Sequence, residues 1–275
     1  FSQPSGLEFT QAKLPLFLEG FVHALRTEKE KARSIHKALR KSPLWDKKLK
    51  MYKVNASLAN ESFEIGRAKA FVPGWLENGS IWLHMEYKYI IELLKSGLYD
   101  EFYEDFFRVL VPFQKPSVYG RSILENSSFI VSSVHPDKSL HGAGFVARLS
   151  GSTAEFIHMW LLMNAGPEPF FLDNDGSLSL RFRPVISSKF FKRGAYSFLF
   201  LGHTSVTYIN PKGKDTFGKE GVGPVSIRLF GPEARPEAKH GLIAEIEGGI
   251  IRSPYAEMVR SGEVERVEVV LGKIG

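Results

Sequence analysis

Apolar positions 14, 17, 18, 21, 22 and 25 recur at three- and four-residue intervals and predict an amphipathic helix over Leu14 to Leu25. A second helix follows from Glu28 to Leu39 and ends near Ser42-Pro43, because proline disfavours helical geometry in the residue before it. Ser80 to Lys95 and Leu98 to Leu110 carry two more, separated by Gly97, and a fifth lies near Thr153 to Asn164. Asn55, Asn60, Gly66, Pro73, Gly74 and Gly79 break the pattern between 51 and 79, and a second loop-rich stretch runs from Val111 to Ser150. Ordered loops of that length inside compact domains are usually functional.

Beyond Gly166-Pro167 the period becomes two: Leu178, Leu180 and Phe182 alternate with Ser179, Arg181 and Arg183. Tyr196 to Leu201, Ser205 to Ile209, Val225 to Phe230, Leu242 to Ile246 and Val264 to Leu271 read as further strands between Gly, Pro and Asn punctuation. Strands in a block, without intervening helices, argue for a sandwich over a parallel α/β sheet. The expected division is a helical region over 1–166 and a β region over 167–275.

The chain has 275 residues, 43% hydrophobic, enough for one large core or two ordinary ones. No apolar run approaches the eighteen or so residues of a membrane span, so no membrane partner is expected. Cysteine is absent, which excludes a disulfide framework and a thiolate metal site and points to the cytoplasm. The net charge of +6 is concentrated in Lys29 to Lys53. A nucleic-acid patch has this composition, but Ala32, Ile35, Ala38 and Leu39 recur on the opposite side with no interleaved aromatics, which reads as a solvated helix face. Nucleic acid is therefore not an expected partner. The opening Phe1-Ser-Gln-Pro-Ser-Gly6 reads as mid-chain linker, and the chain as a piece of a longer protein.

Two segments could carry chemistry. The first is Pro73-Gly-Trp-Leu-Glu-Asn-Gly-Ser-Ile-Trp-Leu-His84, a loop feeding a helix. Glu77 and Asn78 lie on the loop, and the spacing of Ser80, His84 and Lys88 predicts a hydroxyl, an imidazole and an ammonium on one helix face near its positive end, a combination that suits an anion. The blander reading is an N-cap, a core histidine and a surface lysine. The second is Arg148-Leu-Ser-Gly-Ser-Thr-Ala154, where Gly151 admits close backbone approach and Ser150, Ser152 and Thr153 place hydroxyls beside unpaired helix amides. It lacks the lysine and spacing of a Walker loop. Arg121, Glu125, Asn126, His135 and His141 lie between the two segments without a metal-ligand spacing, and no H-E-x-x-H, G-x-S-x-G or G-x-G-x-x-G occurs.

Taken together, Glu77-Asn-Gly-Ser-Ile-Trp-Leu-His84 and Ser150-Gly-Ser-Thr-Ala154 resemble the inverting glycoside phosphorylases that act on cellobiose, chitobiose and β-glucans, whose Glu-Asn-Gly-Gly…His and Thr-Gly-Thr-Ala stretches come in the same order. Glu125-Asn126 is loosely similar to that family's Glu-Pro-Tyr stretch. The likeness covers residues 73 to 165, and the following β block fits in kind. It implies the C-terminal part of an (α/α)6 helical barrel followed by an antiparallel β-sandwich. The activity it implies is a glycosyltransferase reaction: inverting phosphorolysis of a β-linked oligosaccharide or disaccharide to a sugar 1-phosphate. Inorganic phosphate is the co-substrate, no cofactor is needed, and a homodimer is compatible.

By the same resemblance His84, Ser152 and Thr153 hold phosphate, while Glu77, Asn78, Lys88 and Glu125 are the substrate-binding candidates. Phosphate is its own nucleophile, so the protein has to supply an anion cradle and one acid for the leaving oxygen, and not a hydrolase's carboxylate pair. The family's general acid lies in a Trp-Asn-Asp type motif that is missing here, since Trp45-Asp46 has the wrong neighbours; the acid is expected upstream, and this piece alone is expected to be inactive. Ser80 and Ser152 replace small residues of the family pattern, and Trp82, Tyr87 and Tyr89 mark a divergent branch. Two other readings stand beside this one: a carbohydrate-binding or structural module using Tyr196, Tyr208 or Tyr255, and a hydrolase with two acids across the cleft.

Overall fold

Leu18, Val22 and Leu25 form the buried stripe of α1 (Leu18–Thr27) in the computed structural model, which describes residues 11, 13–146, 150–232 and 241–273. The helix starts later than its apolar pattern, because Phe17 bridges Asn55 and the Ala56 amide donates to the Leu16 carbonyl, which holds this entry extended. A short 3-10 turn leads into α2 (Ala32–Lys41). The next helices, α3 (Leu83–Lys95) and α4 (Tyr99–Val109), lie close to the predicted ranges; α1 packs on α3 and α3 on α4, and Arg26 Nε donates to Glu92 Oε1 at 2.9 Å.

The chain divides into two compact units, Phe1–Glu155 and Phe156–Gly275. In the first, the helices are joined by very short strands: β1 (Trp45–Asp46) pairs with β2 (Met51–Tyr52), and β3 (Ile81–Trp82) is followed by β4 (Phe129–Ile130) and β5 (Gly144–Phe145) in a three-stranded sheet of that order, past a single turn of helix, α5 (Pro116–Tyr119). The register Ile81↔Ile130↔Gly144 makes β3 and β5 the two edges of that sheet. The last helix to begin here is α6 (Ser150–Asn164).

The second unit holds two sheets. The smaller joins β6 (Phe170–Leu172), β7 (Leu178–Arg181) and β12 (Ile250–Arg252) in the order β12-β7-β6. The larger contains β8 (Ala195–Phe200), β9 (Thr204–Ile209), β10 (Val222–Phe230), β11 (Leu242–Glu247) and β13 (Arg266–Lys273) in the order β11-β10-β13-β9-β8. Alternate residues point inward: Thr204, Val206 and Tyr208 of β9 are buried and Ser205 is exposed. Leu180, Phe182, Phe200, Val206, Ile227, Leu229, Val267 and Val269 share one core, and burying each such side chain contributes about 1.5–3 kcal/mol.

This architecture corrects the expected one. Among the described residues the helices form no barrel, and the β block is not an antiparallel sandwich: it has a five-stranded mixed sheet in which β13 runs parallel to β9. The apolar periodicity finds helices but not the path between them. The connection from β2 to β3 is made of turns and two short 3-10 segments, Phe63–Ile65 and Arg67–Ala70, where a barrel needs a returning helix. A seven-residue helix, α7 (Tyr255–Ser261), also interrupts the strand block between β12 and β13, too short for a periodic signal.

Candidate functional site

The three-stranded sheet positions the two candidate segments. Its edge strand β3 runs directly into α3, and α6 begins five residues after the end of the other edge strand, β5. His84, the second residue of α3, thereby meets Gly151, the second residue of α6. A Cβ built on Gly151 falls 2.8 Å from His84 Nδ1 and 3.0 Å from Cε1, so only glycine lets the helix approach the imidazole this closely. On the other side of the ring, Nε2 lies 3.5 Å from Glu155 Oε1, one turn further along α6. The ring is thus held between backbone and carboxylate while its side chain stays 34% exposed.

Two helix N-termini converge here, and first-turn amides have no intrahelical acceptor. Trp82, the N-cap of α3, makes no side-chain cap; its indole Nε1 donates to the Leu76 carbonyl instead, at 2.8 Å. At α3 the Leu83 amide donates to the Ser128 carbonyl at 3.2 Å, and the positive end of the helix beside an imidazole favours an anion. Glu155 sets the limit on this chemistry, because an anion seated at Nε2 has to displace its carboxylate.

The remaining sequence candidates divide around this junction. Ser152 is fully buried and Thr153 is exposed, both in the first turn of α6, whereas Arg148 and the Ser150 side chain lie outside the described residues. Ser80 does not share the helix face of His84: it lies before β3, buried, with Oγ donating to the Leu76 carbonyl. Lys88 is on α3 one turn after His84 and half-buried.

Glu77 is ion-paired with Arg67 at 2.5 Å, yet its Oε2 is buried with no hydrogen-bond partner among the described residues. Asn78 donates to the Phe71 carbonyl at 2.6 Å and lines a cavity of 240 Å³ with Lys53, Asn55 and Gly79. Glu125 is paired with Arg121 at 3.2 Å, and its carbonyl accepts from Tyr119 Oη. His141 contacts Lys48 Nζ at 2.7 Å, and among the described residues no group of His, Asp and Glu could hold a metal.

Sequence reading missed three of these participants. Asn55 is the buckle of the Glu77 loop: its Nδ2 donates to the Glu77 carbonyl and its Oδ1 accepts from the Gly79 amide, each at 2.6 Å. Lys53 borders the same cavity, with burial lowering its pKa. Both sit in irregular chain, where no periodicity announces a side chain's direction. Glu155 has no sequence signal of its own, since a glutamate in the first turns of a helix is ordinary surface composition.

A separate buried polar cluster lies in the first unit. Asp105 accepts from Arg40 Nη2 at 2.5 Å and from Tyr52 Oη at 2.6 Å, while Glu86 Oε1 accepts from the Tyr52 amide at 2.8 Å. Burial pushes Asp105 up to about 6 and Glu86 well above its ordinary value, and it pushes His36, 2.7 Å from Tyr89 Oη, down to about 4. Asp46, the acid of Trp45-Asp46, is a structural acceptor: it takes hydrogen bonds from the amides of Lys48, Leu49 and Ser133 and from the Ser133 hydroxyl.

No protein-family model and no curated protein matches this sequence. The aromatics proposed for glycan stacking lie against the interior of the second unit. Tyr208 is fully buried, with Oη donating to the Asn164 carbonyl, and Tyr196 and Tyr255 pack on the core. Among the described residues no helix is long and apolar enough to cross a membrane.

Proposed function

We propose that this chain supplies the phosphate and sugar pocket of a glycoside phosphorylase, acting by inverting phosphorolysis on a β-linked gluco-oligosaccharide or disaccharide. The observation that carries the reading is the contact of His84 with Gly151, which joins two segments far apart in sequence at the start of two helices. The reading rests on this contact and on the order of the two segments, without a helical barrel.

Phosphate sits on the first-turn amides of α3 and α6 with His84 beside it, and Ser152 and Thr153 on the first turn of α6. Glu77 takes a sugar hydroxyl. Its exposed pair with Arg67 contributes about 0–1 kcal/mol and exchanges readily, and its second oxygen has no donor among the described residues. The general acid comes from outside these residues. Holding a pre-formed nucleophile close to the anomeric carbon replaces the hydrolase's base and water.

The test is turnover by the whole protein that carries these residues, on β-linked gluco-oligosaccharides with and without inorganic phosphate. Sugar 1-phosphate that forms only with phosphate supports the proposal, and free sugar released equally without phosphate refutes it. His84→Ala is expected to raise the KM for phosphate about tenfold and leave the KM for glycan nearly unchanged, the signature of a lost anion contact.

A further inference from the structure

The second unit carries a cationic cleft that the phosphorylase reading does not use. Lys212, Lys214, Lys219 and Lys273 line a cavity of 410 Å³ together with Glu220, Gly221 and Val222. Three of the lysines stand on the loop between β9 and β10, and the fourth ends β13 directly opposite Val222. The loop is tied down along its length. Asn210 Nδ2 donates to the Lys214 carbonyl at 2.7 Å, the Thr216 amide to the Ile186 carbonyl at 3.0 Å, and the Val222 amide to the Asp215 carbonyl at 3.0 Å. At Gly221 a Cβ would fall 2.6 Å from the Phe217 carbonyl oxygen, so the turn closes only with glycine.

Among the described residues, charge in the cleft is unbalanced. The loop's own acid, Asp215, is turned to the Ser188 amide, which donates to its Oδ1 at 2.5 Å. Glu220 remains, paired with Lys214 at 2.7 Å, and that pairing lowers its pKa. Of the four lysines only Lys214 has a carboxylate partner among the described residues. Holding ammonium groups together on a fixed loop costs electrostatic energy that a multivalent anion recovers.

We propose that this cleft binds a compact anion with two or more linked phosphoryl groups. Lysine ammonium groups act as point charges that pair with phosphoryl oxygens without demanding a planar, bidentate partner. Several cations in one cleft favour linked charges over a single phosphate. The lining has no aromatic ring on which a base could stack, which disfavours single-stranded nucleic acid.

Calorimetric titration of the chain at low salt with inorganic triphosphate, pyrophosphate and orthophosphate tests this. Triphosphate is expected to bind about tenfold or more tighter than orthophosphate, to weaken as salt rises, and to lose about tenfold in affinity in the Lys212→Gln/Lys219→Gln double variant. His84→Ala is expected to leave triphosphate binding unchanged, which separates this cleft from the proposed phosphate site. In the wild type the amide resonances of Gly213 and Gly221 are expected to shift with triphosphate, a readout independent of the variants' folding. Unperturbed glycine amides, undiminished binding in the double variant, loss of binding in His84→Ala, or tighter binding of a single-stranded oligonucleotide than of triphosphate overturns the proposal.

Discussion

The interiors of the two units are built on different terms. The second is aromatic and aliphatic, with Phe182, Phe200, Val206, Leu229 and Val269 meeting across strands and Tyr208 satisfied by one carbonyl. The first buries the carboxylates of Asp105 and Glu86 with Tyr52 and His36 and leaves Glu86 Oε2 and Glu77 Oε2 without partners, whereas the unpaired buried atoms of the second, Asn164 Oδ1, Arg181 Nε, Tyr196 Oη and Asn210 Oδ1, include no carboxylate oxygen, all among the described residues. Buried polar groups cost stability unless fully paired. A unit that keeps them is the better place to look for chemistry, and the meeting of His84 with Gly151 lies there.

The difference can be broken most forcefully from the apolar side. Phe182→Ala opens a cavity in the second core and is expected to cost about 3–5 kcal/mol in chemical denaturation, nearly constant across pH because the cluster it opens is aromatic and aliphatic. A loss under 1 kcal/mol contradicts the packing described.

In the polar interior the dependence is on pH. Asp105 has a folded pKa of about 6, above its unfolded value, so between those values the folded state binds the extra proton. Its contribution is full below the unfolded pKa and is lost as pH rises through about 6. His36, depressed to about 4, acts in the opposite sense: its contribution is present above the unfolded histidine value and is lost as pH falls towards 4. Asp105→Asn is therefore expected to remove about 3 kcal/mol of stability loss between pH 3.5 and 7, read as the difference between the variant and wild-type profiles. Parallel profiles contradict the assignment.

Sequence pattern reached some of this and stopped at identifiable places. The alternation of Leu178 to Phe182 and of the β9 residues was legible because one face of each strand is buried, and α3 and α4 were legible from helical spacing. β3, β4 and β5 are two residues each, too short for any period, and yet they bring α3 and α6 together. The spacing of Ser80, His84 and Lys88 predicts one helix face, but α3 begins only at Leu83. Gly151 in a small-residue turn suggests room for a ligand, and the group it admits is the His84 ring of the chain itself. Contacts between segments distant in sequence have no local signature.

Smaller effects sharpen the comparison at the junction. Gly151→Ala ordinarily gains about 0.5–1 kcal/mol in a helix, but here its methyl meets the His84 ring, so a net loss is expected in the wild-type background and a gain in His84→Ala. The same sign in both backgrounds, measured by thermal melts, contradicts the contact. Glu155→Gln removes a negative charge beside Nε2 and is expected to tighten phosphate binding about threefold, in line with a partly exposed charge. Weaker binding in that variant contradicts an anion at this edge.

The most direct measurement is a titration of the chain with inorganic phosphate at constant pH and ionic strength, followed by the imidazole resonances of His84. A saturable shift that is weakened in Gly151→Ala and strengthened in Glu155→Gln is the expected result. Resonances that stay fixed while phosphate rises to high millimolar concentration contradict the proposed pocket.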